Sequence, residues 1–150
     1  MKTTDMNVVS FEADIQINRG DLDTEFQSLP SKLWKWGRLE GDAQEQLLTA
    51  KADLEQKYAE IYKRYRGRKD PGTGKALSEG AIEAEIETDP EYVRYRAAHI
   101  KAEGDARRLK AALTALIAQR DMLIQLGAAH RAQMQIDAQG GGPTVQKPKR

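Results

Sequence analysis

The chain has 150 residues, 31% charged and 39% hydrophobic, with a net charge of +1, a mean hydropathy of −0.71 and no cysteine. Disulfides and thiolate metal sites are thereby excluded, and the lack of cysteine fits a reducing cytoplasm. No run approaches the length of apolar sequence that spans a bilayer, and acids interrupt the opening "MKTTDMNVVSFEADIQ" where a signal peptide needs an apolar core.

The near-neutral total hides a segregation. Residues 1–56 hold 6 basic and 11 acidic side chains, whereas residues 57–69 hold 6 basic and 1 acidic. Residues 70–139 hold 9 and 11, and residues 140–150 hold 3 basic and no acidic ones. Such clustering, more than overall charge, is the footprint of a polyanionic partner.

In chain order, "VVSFEADIQIN" at residues 8–18 alternates apolar and polar side chains and predicts a short β-strand. A lone strand leaves its backbone unpaired, so it is expected to pair within the chain or with a second copy. Asn18, Arg19 and Gly20 end it. Asp21 to Ser28 predicts a short helix, and Pro30 then opens a long one from about Ser31 to Arg66. Along that helix Trp36, Ala43, Leu47, Ala50, Leu54, Tyr58, Ile61 and Tyr65 recur at spacings of mostly three and four. This is a narrow stripe suited to a helix–helix seam, about 54 Å long at 1.5 Å per residue.

Three glycines and Pro71 between Gly67 and Lys75 predict a loop. Ser78 and Glu79 open a short acidic helix to about Glu87. Asp89-Pro90-Glu91 supplies a capping carboxylate, a first-turn proline and an acid for the positive helix end. The helix that follows is predicted to reach about Ala138, with a possible break at Gly104 or Gly127. Its stripe runs through Ala102, Ala106, Leu109, Leu113, Leu116, Arg120, Leu123, Gly127, His130 and Met134. The expected fold is mainly α: two long antiparallel helices in a hairpin, with a short N-terminal β-strand element. It forms one domain over residues 1–139, followed by a disordered basic tail at 140–150. Two helices bury little surface alone, so an oligomer is expected.

The chemistry-bearing motifs of enzymes are missing. Gly67 and Gly72 have the spacing of a phosphate loop, but Thr73 stands where its lysine belongs, and Ala76 follows Lys75 without a hydroxyl for magnesium. His99 and His130 are the only histidines and do not form a zinc-binding pair. The acids of "EGAIEAEIETDPE" lack the spacing of a calcium loop. No catalytic residue and no cofactor is expected.

The run "YKRYRGRK" is the stronger functional signal. Lys57, Lys63, Arg64, Arg66, Arg68 and Lys69 interleave with tyrosines, as in proteins whose cations track phosphates while flat rings stack on unpaired bases. Tyr58 and Tyr65 fall on the seam stripe. Tyr62 lies off it and is the stacking candidate. In an antiparallel hairpin Arg94 and Arg96 are expected to return toward this segment and enlarge the patch.

The order of features resembles the UvsY-type recombination mediators of tailed bacteriophages. The likeness rests on "DIQINRGDLDTEF" ahead of the Lys35-Trp36 pair, on the helix ending in "YKRYRGRKD", on the acidic "ETDPEY", and on "LIQLGAAHRAQM" near the end of the last helix. It covers roughly residues 12–136. Glu60 and Ile61 depart from the family's earlier helical cations. The resemblance implies a non-enzymatic protein of the host cytoplasm that forms a homo-oligomeric ring and binds single-stranded DNA. It further implies that the protein helps load a RecA-like recombinase onto strands covered by single-strand-binding protein. By position, the binding role falls on Lys63, Arg64, Arg66, Arg68 and Lys69. The alternative is a structural or scaffolding helical oligomer without DNA affinity.

Overall fold

The structure is a computed structural model, and it describes residues 11–140. It is mainly helical: α1 spans Leu22–Arg66, α2 Glu79–Thr88 and α3 Pro90–Gly140. The described residues fall into two compact units, residues 11–34 with 114–140, and residues 35–113. The tail at 141–150 lies outside the described residues, and α3 is described up to Gly140.

In the first unit, the predicted strand is replaced. Residues 8–10 lie outside the described residues, residues 11–15 are helical, and 16–18 have no regular structure. The described residues offer this segment no strand edge, whereas a helix satisfies its own backbone. Its last carbonyls, which no helical N–H reaches, find a donor in α3: Gln119 Nε2 donates to the oxygens of Asp14, Ile15 and Gln16 at 3.3, 3.1 and 3.5 Å. Gln119 is buried for this purpose. The Asn18–Gly20 turn follows, closed by the Gly20 N–H on Asn18 Oδ1 and the Asp21 N–H on the Asn18 carbonyl.

Asp21 caps α1 by accepting the Thr24 N–H at 3.1 Å, and its bonds to Thr24 hold its carboxyl below the usual range. Glu25 reaches back to the Asn18 N–H at 3.0 Å and also binds Lys32 at 3.2 Å. That backbone bond is the main cause of its lowered pKa. The expected short helix and the long one are therefore a single helix, with Pro30 inside it. Proline lacks the N–H that would meet the Phe26 carbonyl. The cap upstream and the buried Leu29 beside it hold the helix through this gap.

The two helices of this unit meet closely at Gly127. A Cβ there would stand 3.1 Å from two ring atoms of Phe26, so the glycine lets the ring lie on the α3 backbone. Leu116 and Leu123 are fully buried.

In the second unit α1 and α3 run antiparallel: Tyr65 meets Asp89, Tyr58 meets Tyr92 and Lys57 meets Tyr95. Ile61 and Tyr65 of α1 pack with Ile82 and Ile86 of α2, and Tyr62, Leu77 and Tyr92 border that cluster. Burying each such isoleucine contributes about 2 kcal/mol. Ser78 caps α2 by accepting the Ala81 N–H at 3.3 Å. The α3 helix continues without a break through Gly104 and Gly127. Its seam stops at Gly127: every residue from 128 to 140 is exposed, His130 and Met134 included. The stripe on α1 holds except at Tyr58, which is 38% exposed.

Two expectations follow. Gln119→Glu replaces a buried donor with an acceptor facing three carbonyls, and should destabilise the protein by about 3 kcal/mol at pH 7. The deficit should shrink in acid, where a protonated carboxyl donates again; urea unfolding at pH 7 and pH 4 measures it. Gly104→Ala should stabilise by about 1 kcal/mol, since a Cβ there meets only the flexible Arg108 guanidinium, at 3.6 Å. Gly127→Ala should gain less, because the Phe26 ring must move. Thermal melts of the two variants compare them.

Candidate nucleic-acid interface

The basic segment occupies the last three turns of α1 and the loop that follows. The helix end suits it, since cations there complement the negative end of the helix dipole. Lys63, Arg64 and Arg66 lie in the last turn.

The acids at the start of α3 divide these cations into two sets. Lys57 Nζ lies 2.6 Å from Glu60 and 3.6 Å from Glu91, with its ammonium 5.4 Å from the centre of the Tyr95 ring. The bond to Glu60 holds the Lys57 pKa above its ordinary value and the Glu60 carboxyl below its own. Arg64 faces Asp89 at 3.6 Å and Glu91 at 3.5 Å. Both charges are met inside the chain.

Lys63, Arg66 and Lys69 are exposed and make no ion pair among the described residues. Arg68 is also exposed, with its guanidinium 4.7 Å from the centre of the Tyr65 ring. Lys63 and Arg66, three residues apart, share one side of α1. The residues of the core cluster, Ile61 and Tyr65, lie on another.

Tyr62 does not point outward as its position off the stripe predicts. Its ring stacks on Tyr58, with centroids 6.3 Å apart, and borders the Ile61–Ile86 cluster. Its hydroxyl donates to Glu79 Oε1 at 3.3 Å. The short α2 causes this: it adds a third packing face at the helix end, which widens the buried stripe beyond a two-helix seam. Tyr65 is buried, as expected, and burial with the adjacent Asp89 carboxylate pushes its pKa up. Burial raises the Tyr58 pKa as well.

Arg94 and Arg96 are exposed on α3, Arg94 over the ring of Tyr95 at 5.3 Å. The Lys57–Tyr95 contact sets them level with Lys57, about two helical turns from the end of α1. They therefore flank the neutralised pair of cations and stand apart from Lys63 and Arg66.

From the sequence, Asp89 and Glu91 read as a helix start and as part of an acidic stretch, not as partners of the basic run. Their second role was carried by one signal, the antiparallel return that brings residue 89 opposite residue 65. Asp89 is 6% exposed and serves three groups: the Glu91 N–H at 2.9 Å, the Tyr65 hydroxyl at 3.3 Å and the Arg64 guanidinium.

Among the described residues no group of three or more histidines, aspartates and glutamates is placed to hold a metal ion, and no helix is long and apolar enough to cross a membrane. No family model, curated protein or solved structure matches the chain.

Asp89→Ala should cost about 2–3 kcal/mol, from the lost cap and the unpartnered Tyr65 hydroxyl. Arg64→Ala, at a half-exposed pair, should cost under about 1 kcal/mol. Guanidinium unfolding curves of the two variants check the ranking.

Proposed function

We propose that this protein binds single-stranded DNA through the end of α1 and acts as a non-enzymatic recombination mediator, helping a RecA-like recombinase onto strands covered by single-strand-binding protein. One observation carries the binding half: Lys63, Arg66, Arg68 and Lys69 stand exposed within seven residues while neighbouring acids are spent on Lys57 and Arg64. Exposed cations keep their counterions until phosphates replace them, and the released ions drive association. The mediator half rests on the order of sequence features shared with the UvsY-type family. Tyr62 being half-buried, base stacking has little part in this reading, and phosphate contacts carry the affinity.

Such a grip is weak per chain, and several copies in a ring would strengthen it by multivalency. The outer side of α3 favours self-association. Val93, Ala97, Ile100 and Gly104 recur there at spacings of four, three and four. Val93 and Ile100 are 49% and 59% exposed, on the side opposite the buried Ala106. The same surface supports the second reading, a scaffolding oligomer without DNA affinity.

Fluorescence anisotropy with a labelled single-stranded oligonucleotide at two salt concentrations, against a duplex of the same sequence, separates the readings. Binding to the single strand is expected at low salt; its absence rejects the first reading. The double variant Lys63→Ala, Arg66→Ala should flatten the salt dependence by about 1.4 in the log–log slope, at about 0.7 for each single-strand phosphate contact. Lys57→Ala should change it little.

A further inference from the structure

The apolar outer side of α3 has a basic rim. Arg94, Arg96 and Lys101 border Val93, Ala97, Ile100 and Gly104, and all three cations are exposed without an ion pair among the described residues. Two such rims brought face to face set like charges opposite one another, which opposes association. This side therefore calls for a covering surface of the opposite sign.

Such a surface lies on α1, in the same unit. Gly41, Glu45, Leu48 and Ala52 recur at the same spacings of four, three and four, on the side away from the buried Ala43. All four are exposed, Leu48 at 67%. Asp42, Glu45, Thr49 and Asp53 line a shallow groove beside them. The three acids are exposed and make no ion pair among the described residues.

Each of the two sides also carries a glycine in mid-helix, where alanine serves a helix better. A Cβ at Gly41 would meet nothing within 4 Å, and one at Gly104 only the Arg108 guanidinium. Packing within the chain calls for neither glycine, in contrast to Gly127, whose space the Phe26 ring fills. A second helix crossing close over them would use the missing side chains.

We propose that the outer side of α3 in one copy, residues 93–104, docks on the outer side of α1 in a second copy, residues 41–53. The inference rests on the self-association reading above and names the surface that meets α3. Asp42, Glu45 and Asp53 face Arg94, Arg96 and Lys101 of the neighbour, while Leu48 packs with Val93 and Ile100. In this unit α1 and α3 lie side by side, so their outer sides point away from each other and each copy presents both halves of the contact. A contact of this kind is heterologous: it repeats head to tail, and it closes as a ring where the rotation between copies closes. It gives a task to Arg94 and Arg96, which stand apart from Lys63 and Arg66.

The test is sedimentation velocity of the full chain over a concentration series. Ile100→Glu breaks the α3 side and Leu48→Glu the α1 side; both positions are exposed, so thermal melts of dilute protein should match the wild type. Each variant alone should stay monomeric where the wild type associates. Their equimolar mixture should form a dimer and nothing larger, since one intact α1 side meets one intact α3 side. Asp42→Asn combined with Asp53→Asn, which changes no apolar contact, should weaken association several-fold and flatten its dependence on salt. A Leu48→Glu chain that associates as the wild type does overturns the docking, because α3 then meets some other surface. A mixture that stays monomeric overturns it as well. Unchanged association of the Asn double variant overturns the charge pairing. A wild type that is monomeric throughout removes the self-association reading and this inference together, whereas strand binding through Lys63 and Arg66 is judged separately by anisotropy.

Discussion

The Asp89 carboxylate is the junction on which the second unit depends. It follows α2 directly, caps α3, accepts the buried Tyr65 hydroxyl and faces Arg64. One side chain thereby fixes where α3 begins, how α1 is rotated against it, and which basic residue is ion-paired at this end. A buried carboxylate is costly unless its lone pairs are occupied, and here a backbone N–H, a phenol and a guanidinium occupy them. The Ile61–Ile86 cluster supplies the apolar burial, and the carboxylate supplies the register that burial alone leaves loose.

That arrangement also decides what the basic segment offers to solvent. Uniform exposure would make all six cations between residues 57 and 69 equivalent. Glu60 of α1, Asp89 and Glu91 instead take up Lys57 and Arg64, leaving the charge concentrated at the helix end and in the turn beyond it. A polyanion approaching the surface meets a compact positive spot with an acidic flank. A flank of like charge to the ligand narrows the poses it can adopt.

Much of the fold was legible in the sequence. The three-four spacing from Trp36 to Tyr65 and the Asp-Pro-Glu helix start marked elements that depend on local pattern and capping, and these are where expected. The turn between Gly67 and Lys75 was marked by composition. What escaped depended on partners distant in sequence. The alternation at residues 8–18 reads as a strand only if a strand edge exists, and Gln119, more than a hundred residues away, gives the helical alternative its last hydrogen bonds. Pro30 reads as a helix start, but the cap at Asp21 and the burial of Leu29 outweigh one missing bond. Tyr62 lies off a two-helix stripe, yet α2 supplies a further face. The cations of residues 57–69 were legible in the sequence as a cluster; which of them stay unpaired depends on the antiparallel register, and no local pattern encodes that.

The exposed end of α3 has a thermodynamic consequence. From residue 128 to 140 every residue is exposed, so tertiary contacts give this segment little share of the core's cooperativity. An unsupported stretch of about thirteen residues is marginally helical in water, held by propensity and by continuity with the turns before it. Its amide protons should therefore exchange with solvent readily, while those around Leu116 and Leu123 exchange only when the unit opens. In a single helix, one end melts as a peptide does and the other as part of a protein.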